Sequence, residues 1–225
     1  MKNLQKLFIF FFIINFTACK NSSENNTANP ELGEVNYTIT INSTWSTITH
    51  PDGFPSNPHF SGFIGVGHNL NVSLWEIAEL ASPGIEQVAE TGGKSILITE
   101  IDQLISIGDA NQLISEGGIN SSPGEMSFSV TMQPDYTFIS LVSMLAPSPD
   151  WIVGVSSLDL APNGVWLENK TVDLYVYDAG TDDGENYTST NLDANPKQTI
   201  FRIETAPFLV NNAVIPIGTM TFIKQ

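Results

Sequence analysis

Val35-Asn-Tyr-Thr-Ile-Thr-Ile41 alternates apolar and polar side chains, which predicts a strand with one buried face. Met126-Ser-Phe-Ser-Val-Thr-Met132 and Val172-Asp-Leu-Tyr-Val-Tyr177 alternate in the same way. Thr137 to Leu145 is a mostly apolar strand that runs toward Asp150. Trp151 to Leu158, Gln198 to Ile203 and Met220 to Lys224 complete the extended set, with Phe60 to Val66 and Asn71 to Trp75 as shorter candidates. The period changes in one place. Leu97, Ile101, Leu104 and Ile105 recur at helical spacing, so Lys94 to Ile107 is predicted to be an amphipathic helix. Gly84 to Glu90 reads as a helical turn ending near Gly92, and Asp109 is placed to cap a further short helix reaching Ser115. Short strands divided by turn signals, with helices between two strand-rich halves, predict a mainly β fold: an antiparallel β-sandwich with a short helical insertion.

The first residues follow another rule. Lys2 and Lys6 precede Leu7-Phe-Ile-Phe-Phe-Phe-Ile-Ile14, an apolar run too short to span a bilayer stably and suited to an export signal. Phe16-Thr-Ala-Cys19 resembles a bacterial lipobox, and Cys19 is the sole cysteine of the 225 residues. The expected organisation is a signal peptide at 1–18, a lipidated flexible tether at 19–34 rich in Asn, Ser and Glu, and one domain at 35–225. The membrane is then a partner through the lipid anchor. The expected location is the bacterial cell envelope, at the outer membrane or cell surface. No second cysteine exists for a disulfide, so packing, with metal as a candidate aid, is expected to hold the domain together.

Charge narrows the partners. Twenty-four acidic residues against eight basic ones give a net charge of −16, and loss of Lys2 and Lys6 with the signal moves it to −18. Nucleic acid is excluded, because binding it needs a basic patch. Divalent cations suit the surplus. Asp150 ends Pro147-Ser-Pro-Asp150, and Asp178-Ala-Gly-Thr-Asp182 follows the alternating Val172–Tyr177 run. Both fall where a strand gives way to a loop. Three carboxylates gathered at one rim of a sheet repel unless a cation sits among them, and hard oxygen ligands favour Ca²⁺ or Mg²⁺. A solvated acidic turn is the simpler alternative, since Asp and Gly are common turn residues. The run is not an EF-hand loop, because Gly180 and Asp183 occupy places where that pattern needs a ligand and a glycine. His50, His59 and His68 recur every nine residues, but loop histidines beside Pro and aromatic residues more often bond locally than bind zinc.

Taken together, Tyr37-Thr-Ile-Thr-Ile-Asn-Ser-Thr-Trp45, His59-Phe-Ser61, Val88-Ala-Glu90, Pro147-Ser-Pro-Asp-Trp-Ile-Val-Gly-Val-Ser-Ser-Leu-Asp-Leu160 and Tyr177-Asp-Ala-Gly-Thr-Asp182 resemble the spondin N-terminal domain. The resemblance spans about residues 36–225. It implies a calcium-binding β-sandwich shaped like calcium-dependent lipid-binding domains. The family's metal carboxylates fall on Asp150, Asp178 and Asp182. A glutamate that some members carry on the preceding strand, in a cluster linked to integrin recognition, falls on Thr131 here. The function expected is an envelope-anchored calcium-binding module for adhesion or binding of a protein or glycan ligand. One alternative is a carbohydrate-binding accessory lipoprotein that stacks sugars on Trp45, Trp75, Trp151 and Trp166. A weaker one is a hydrolase using paired carboxylates, with His50 near Asp52 or Asp150. No nucleophile motif such as Gly-x-Ser-x-Gly occurs, and a non-enzyme is expected.

Overall fold

The computed structural model describes residues 32–225; the expected export signal, Cys19 and most of the expected tether lie outside the described residues. The chain begins with β1 (Val35–Ser43), β2 (His59–Phe60) and β3 (Ile64–His68). Two helices follow, α1 (Pro83–Thr91) and α2 (Ser95–Ile107). Then come β4 (Ala110–Ser115), β5 (Gly124–Met132), β6 (Phe138–Ala146), β7 (Trp151–Asp159), β8 (Asn169–Leu174) and β9 (Val176–Asp178). The short β10 (Phe201–Arg202), β11 (Leu209–Val210) and β12 (Ala213–Val214) precede the closing β13 (Gly218–Lys224).

All pairings between these strands are antiparallel. One sheet runs β5-β1-β13-β8, and the other runs β10-β9-β7-β6-β3-β4 with β2 added on β6. The alternation of β1 sets its faces: Tyr37, Ile39 and Ile41 are buried against the second sheet, while Asn36 and Asn42 stay outside. β6 is buried along nearly its whole length because both its faces are covered, and its two polar side chains, Ser140 and Ser143, are hydrogen-bonded. Leu141 and Leu145 join the core between the sheets, whereas Val142 joins a second core under the helices with Ile85, Val88, Leu97 and Ile101. The sandwich with a helical insertion is therefore as expected.

The helices have clear ends. The Ser82 side chain caps α1 by accepting from the Ile85 N–H at 3.2 Å, Pro83 occupies its first turn, and Gly92 closes it with a left-handed φ of 68°. Glu100 of α2 clamps the same terminus, accepting from Ser82 Oγ at 2.6 Å and the Gly84 N–H at 2.7 Å. No helix among the described residues is long and apolar enough to cross a membrane.

Several expected elements differ. Val172 to Tyr177 is not one strand: β8 ends at Leu174 in one sheet and β9 begins at Val176 in the other, so the alternating run crosses between the sheets. Phe60 to Val66 is likewise divided between β2 and β3. The short helix expected from Asp109 is β4: after Gly108 ends α2, residues 110–115 pair with the open edge of β3, and this pairing outweighs a weak local helix signal. Asn71 to Trp75 is a loop, because Asn69 Oδ1 takes the Asn71 N–H and Ser73 Oγ donates to the Trp75 carbonyl, so local side-chain bonds replace a ladder. In the Gln198–Ile203 stretch only Phe201–Arg202 is a strand, since Ile200 bonds instead to the irregular Glu79 segment.

The sandwich has two distinct ends. The Trp166 indole donates to the Gly33 carbonyl near the end of β7, so the described chain enters there. β1 carries it nine residues to the other end, about 30 Å away at strand rise. There Trp45 packs on Tyr187, and Tyr187 on Trp151 at the start of β7. The loops that hold Asp150 and Asp178 lie at this far rim.

Candidate metal centre

Asp150 is the residue before β7, and Asp178 is the last residue of β9. Because β7 and β9 run antiparallel with Trp151 opposite Asp178, the start of one strand meets the end of the other. The Ala179 N–H bonds back to the Asp150 carbonyl at 3.1 Å, which fixes the junction. This register brings together two carboxylates separated by twenty-eight positions.

Asp150 is fully buried, at 0% exposure. Its Oδ2 accepts the Thr181 N–H at 2.7 Å, the Asp182 N–H at 3.1 Å and the Thr181 hydroxyl at 3.3 Å. Its Oδ1 is buried without a partner. Burial raises the Asp150 carboxyl above its ordinary value despite those donors. Asp178 is half-buried, and its Oδ1 accepts the Gly180 N–H at 2.8 Å in a tight turn. Burial first, and the Asp150 charge second, push the Asp178 carboxyl up to about 7. Two crowded carboxylates, one with an orphaned oxygen, are the signature of an environment that gains from a cation.

Asp182 has a different setting. It is 4% exposed, and its Oδ1 and Oδ2 accept the N–H groups of Gly184 and Leu192, each at 2.7 Å. It staples its own loop to the 192–194 segment, where Asp193 forms a β-bridge with it. Among the described residues no three His, Cys, Asp or Glu side chains converge closely enough to enclose an ion as they stand. Each Asp182 oxygen retains a second lone pair, so its hydrogen bonds leave acceptor capacity. Asp183 is exposed.

Glu90, at the end of α1, is the residue that sequence spacing passes over. Its Oε1 is buried without a partner. Burial raises its carboxyl, and the charges of Glu86, Asp193 and Asp182 add to that rise while Thr181 opposes it. The helix and the Thr181–Asp182 loop are brought together only by the packing of α1 on β6 and β7, which leaves no local motif.

The other candidates separate from this centre. His50 is fully buried; its ring nitrogens pair with Thr49 Oγ1 at 3.0 Å and the Ile215 carbonyl at 3.2 Å. His68 pairs with Ser140 Oγ at 2.9 Å and the Asn69 carbonyl at 2.8 Å, and His59 with the Asn57 carbonyl at 2.9 Å. Only His59 bonds purely locally; His50 and His68 each also pair with a segment distant in sequence. Trp45, Trp75, Trp151 and Trp166 are all buried, so none offers an open stacking face for a sugar. Thr131 sits near the end of β5 remote from Asp150, donating to Asn36 Oδ1 at 2.6 Å. It is not part of the acidic rim.

The family model described as Spondin_N matches residues 35–213. Spondin-2 of Rattus norvegicus is 33% identical over 171 residues, which cover 74% of this chain and 52% of that protein. Spondin-2 of Homo sapiens is 34% identical over 174 residues, with the same two coverages of 74% and 52%. Spondin-1 of Gallus gallus is 34% identical over 196 residues, 80% of this chain and 24% of that protein. The chain therefore spans about half the length of these Spondin-2 relatives and about a quarter of the Spondin-1 relative.

Proposed function

The chain belongs to the spondin N-terminal domain family, and from that premise we propose that it is an extracellular, non-catalytic module for adhesion or ligand binding whose rim loops are ordered by Ca²⁺. Asp150, Asp178 and Asp182 hold the ion, and Cys19 carries the lipid that anchors the chain to the bacterial cell envelope. The observation that supports the metal most directly is the Asp150 carboxylate, fully buried with Oδ1 unpartnered beside Asp178. A bound divalent cation supplies the missing partner and relieves the repulsion between the two groups. Ca²⁺ suits the site better than a transition metal, because the donors are carboxylate oxygens. The ion also ties the Asp150 turn to the Asp178–Asp182 loop, which no disulfide does here.

Calcium that binds only the folded chain stabilises it by about 2.7 kcal/mol at a hundredfold excess over its dissociation constant. Chelator is expected to lower the melting temperature, and added calcium to restore it. Asp150→Asn and Asp178→Asn are expected to blunt that response, and Asp193→Asn to leave it intact. Equal melting with chelator and with calcium, together with no calcium uptake by calorimetry, would return these residues to solvated turns.

A further inference from the structure

β7 runs for nine residues, but β9 pairs only with its first three, Trp151, Ile152 and Val153. Tyr175 and Leu174 would continue that ladder, but Leu174 belongs to β8 and pairs with Gly218 in the other sheet. Past Gly154, that side of β7 has no strand beside it among the described residues. The Asp150 carbonyl accepts from Ala179 on this side, so the alternate residues Ile152, Gly154 and Ser156 turn their backbone groups the same way. The Gly154 carbonyl and both backbone groups of Ser156 therefore face the gap.

A β-bulge lies on the opposite edge, where Ser140 of β6 faces both Ser156 and Ser157, between the Leu141–Val155 and Ile139–Leu158 pairs. Ser157 takes a φ of 47°, and its N–H donates to Ser140 Oγ at 2.8 Å. The bend limits an added strand to about three residues beside positions 154–156. The gap is a groove of about 410 Å³ where the two sheets part. Ile77, 52% exposed, with Leu158, Val172 and Tyr177 gives it an apolar lining. Glu76 and Asp173, both exposed, add two carboxylates, and no lysine or arginine lines it. Arg202, opposite Tyr177 in β10, donates to Glu204 at 3.0 Å and lies over the Tyr175 ring.

We propose that this groove docks a short extended segment of another protein, which adds a strand to β7 and carries a lysine or arginine toward Glu76 and Asp173. The unpaired backbone groups suit a peptide chain, and the acidic lining independently sets its charge. Ladder groups left to water beside apolar surface are a template for strand addition: main-chain bonds satisfy the first, and side chains cover the second. Two carboxylates without a counter-ion repel an acidic segment and attract a basic one. A second copy of this chain brings the same acidic surplus, a net charge of −16, so the occupant is a different protein. This partner class goes beyond the calcium reading, and the ion takes no part in it.

The test uses the full chain in detergent micelles, with chelator present, and labelled hexapeptides read by fluorescence anisotropy. A peptide alternating Val and Arg is expected to bind, and one alternating Val and Glu is not. N-methylation of alternate backbone nitrogens removes the donors along one edge of the peptide. One of the two methylated forms is expected to bind at least about tenfold more weakly, because it forfeits the ladder. The double variant Glu76→Gln/Asp173→Asn is expected to weaken the Val-Arg peptide at least about threefold, as two lost exposed charge pairs should. Ile77→Ser is expected to weaken it as well, with melting temperatures unchanged in both variants. Equal binding of the Arg and Glu peptides, or undiminished binding by the double variant, would overturn the proposal. Full binding by both methylated forms would overturn it too, by reducing the contact to charge alone. Calcium uptake by the rim without peptide binding sinks the groove and leaves the metal reading. Peptide binding without calcium uptake does the reverse.

Discussion

At the scale of single residues, the chemistry of the rim reduces to how Asp178 meets water and charge. Burial and the Asp150 carboxylate push Asp178 up to about 7, from the ordinary aspartate value of 3.8. A carboxyl with a raised folded pKa binds its proton more tightly in the folded chain than in the unfolded one. Its contribution is fully present below the unfolded value and is lost as pH rises through the folded one. In chelator, the wild type is therefore expected to lose stability relative to Asp178→Asn as pH climbs from about 4 to about 8. Comparing two variants cancels the opposite pH response of His50 and His68, whose pKa values burial lowers in both proteins. Saturating calcium should close the gap at pH 8 by stabilising the ionised carboxylate. Melting curves at both ends of the range, with chelator and with calcium, check this; a gap that stays constant with pH would refute it.

At the scale of elements, the loop after β9 depends on one glycine. Gly180 has a φ of +71°, and a Cβ there would lie 2.3 Å from the Gln198 carbonyl oxygen. The same two residues are joined by a Gln198 N–H bond to the Gly180 carbonyl at 2.8 Å. Gly180→Ala must therefore strain the backbone and push away the Gln198 segment. The expected cost is about 1–3 kcal/mol, with a blunted calcium response although every carboxylate is intact. Gly33→Ala is the control, because a Cβ there meets nothing within 4 Å. Equal denaturant midpoints for the two variants would show that the loop accommodates a side chain. The element scale is also where local pattern reading divides. The Leu97–Ile101–Leu104 stripe is long and periodic enough to specify α2, whereas residues 110–115 carry no period strong enough to resist the pairing offered by β3.

At the scale of the whole molecule, the two ends of the sandwich differ. The chain enters beside Gly33, and the acidic rim lies at the other end, one strand length away. A lipid on Cys19, as proposed above, would anchor the chain to the envelope. Metabolic labelling with a fatty acid is expected to mark the wild type and not Cys19→Ser. Labelling of both alike would remove the anchor.

Sequence by itself determined the sandwich, both helices and the three aspartates, because strand alternation, helical spacing and the Pro-Ser-Pro-Asp and Asp-Ala-Gly-Thr-Asp runs are local signals. The antiparallel register that sets Trp151 opposite Asp178 was decided only in three dimensions, since it arises from burying both faces of β6 and β7 together. The same holds for Glu90 beside the Thr181 loop and for Phe201 opposite Asp178. Each joins segments distant in sequence, and the free energy that selects those contacts is the burial of apolar surface elsewhere in the core. Asp182 shows the division within one residue. Its presence in the acidic run is plain in the sequence, but the pairing of both its oxygens with the Gly184 and Leu192 N–H groups depends on how the loop folds back on itself.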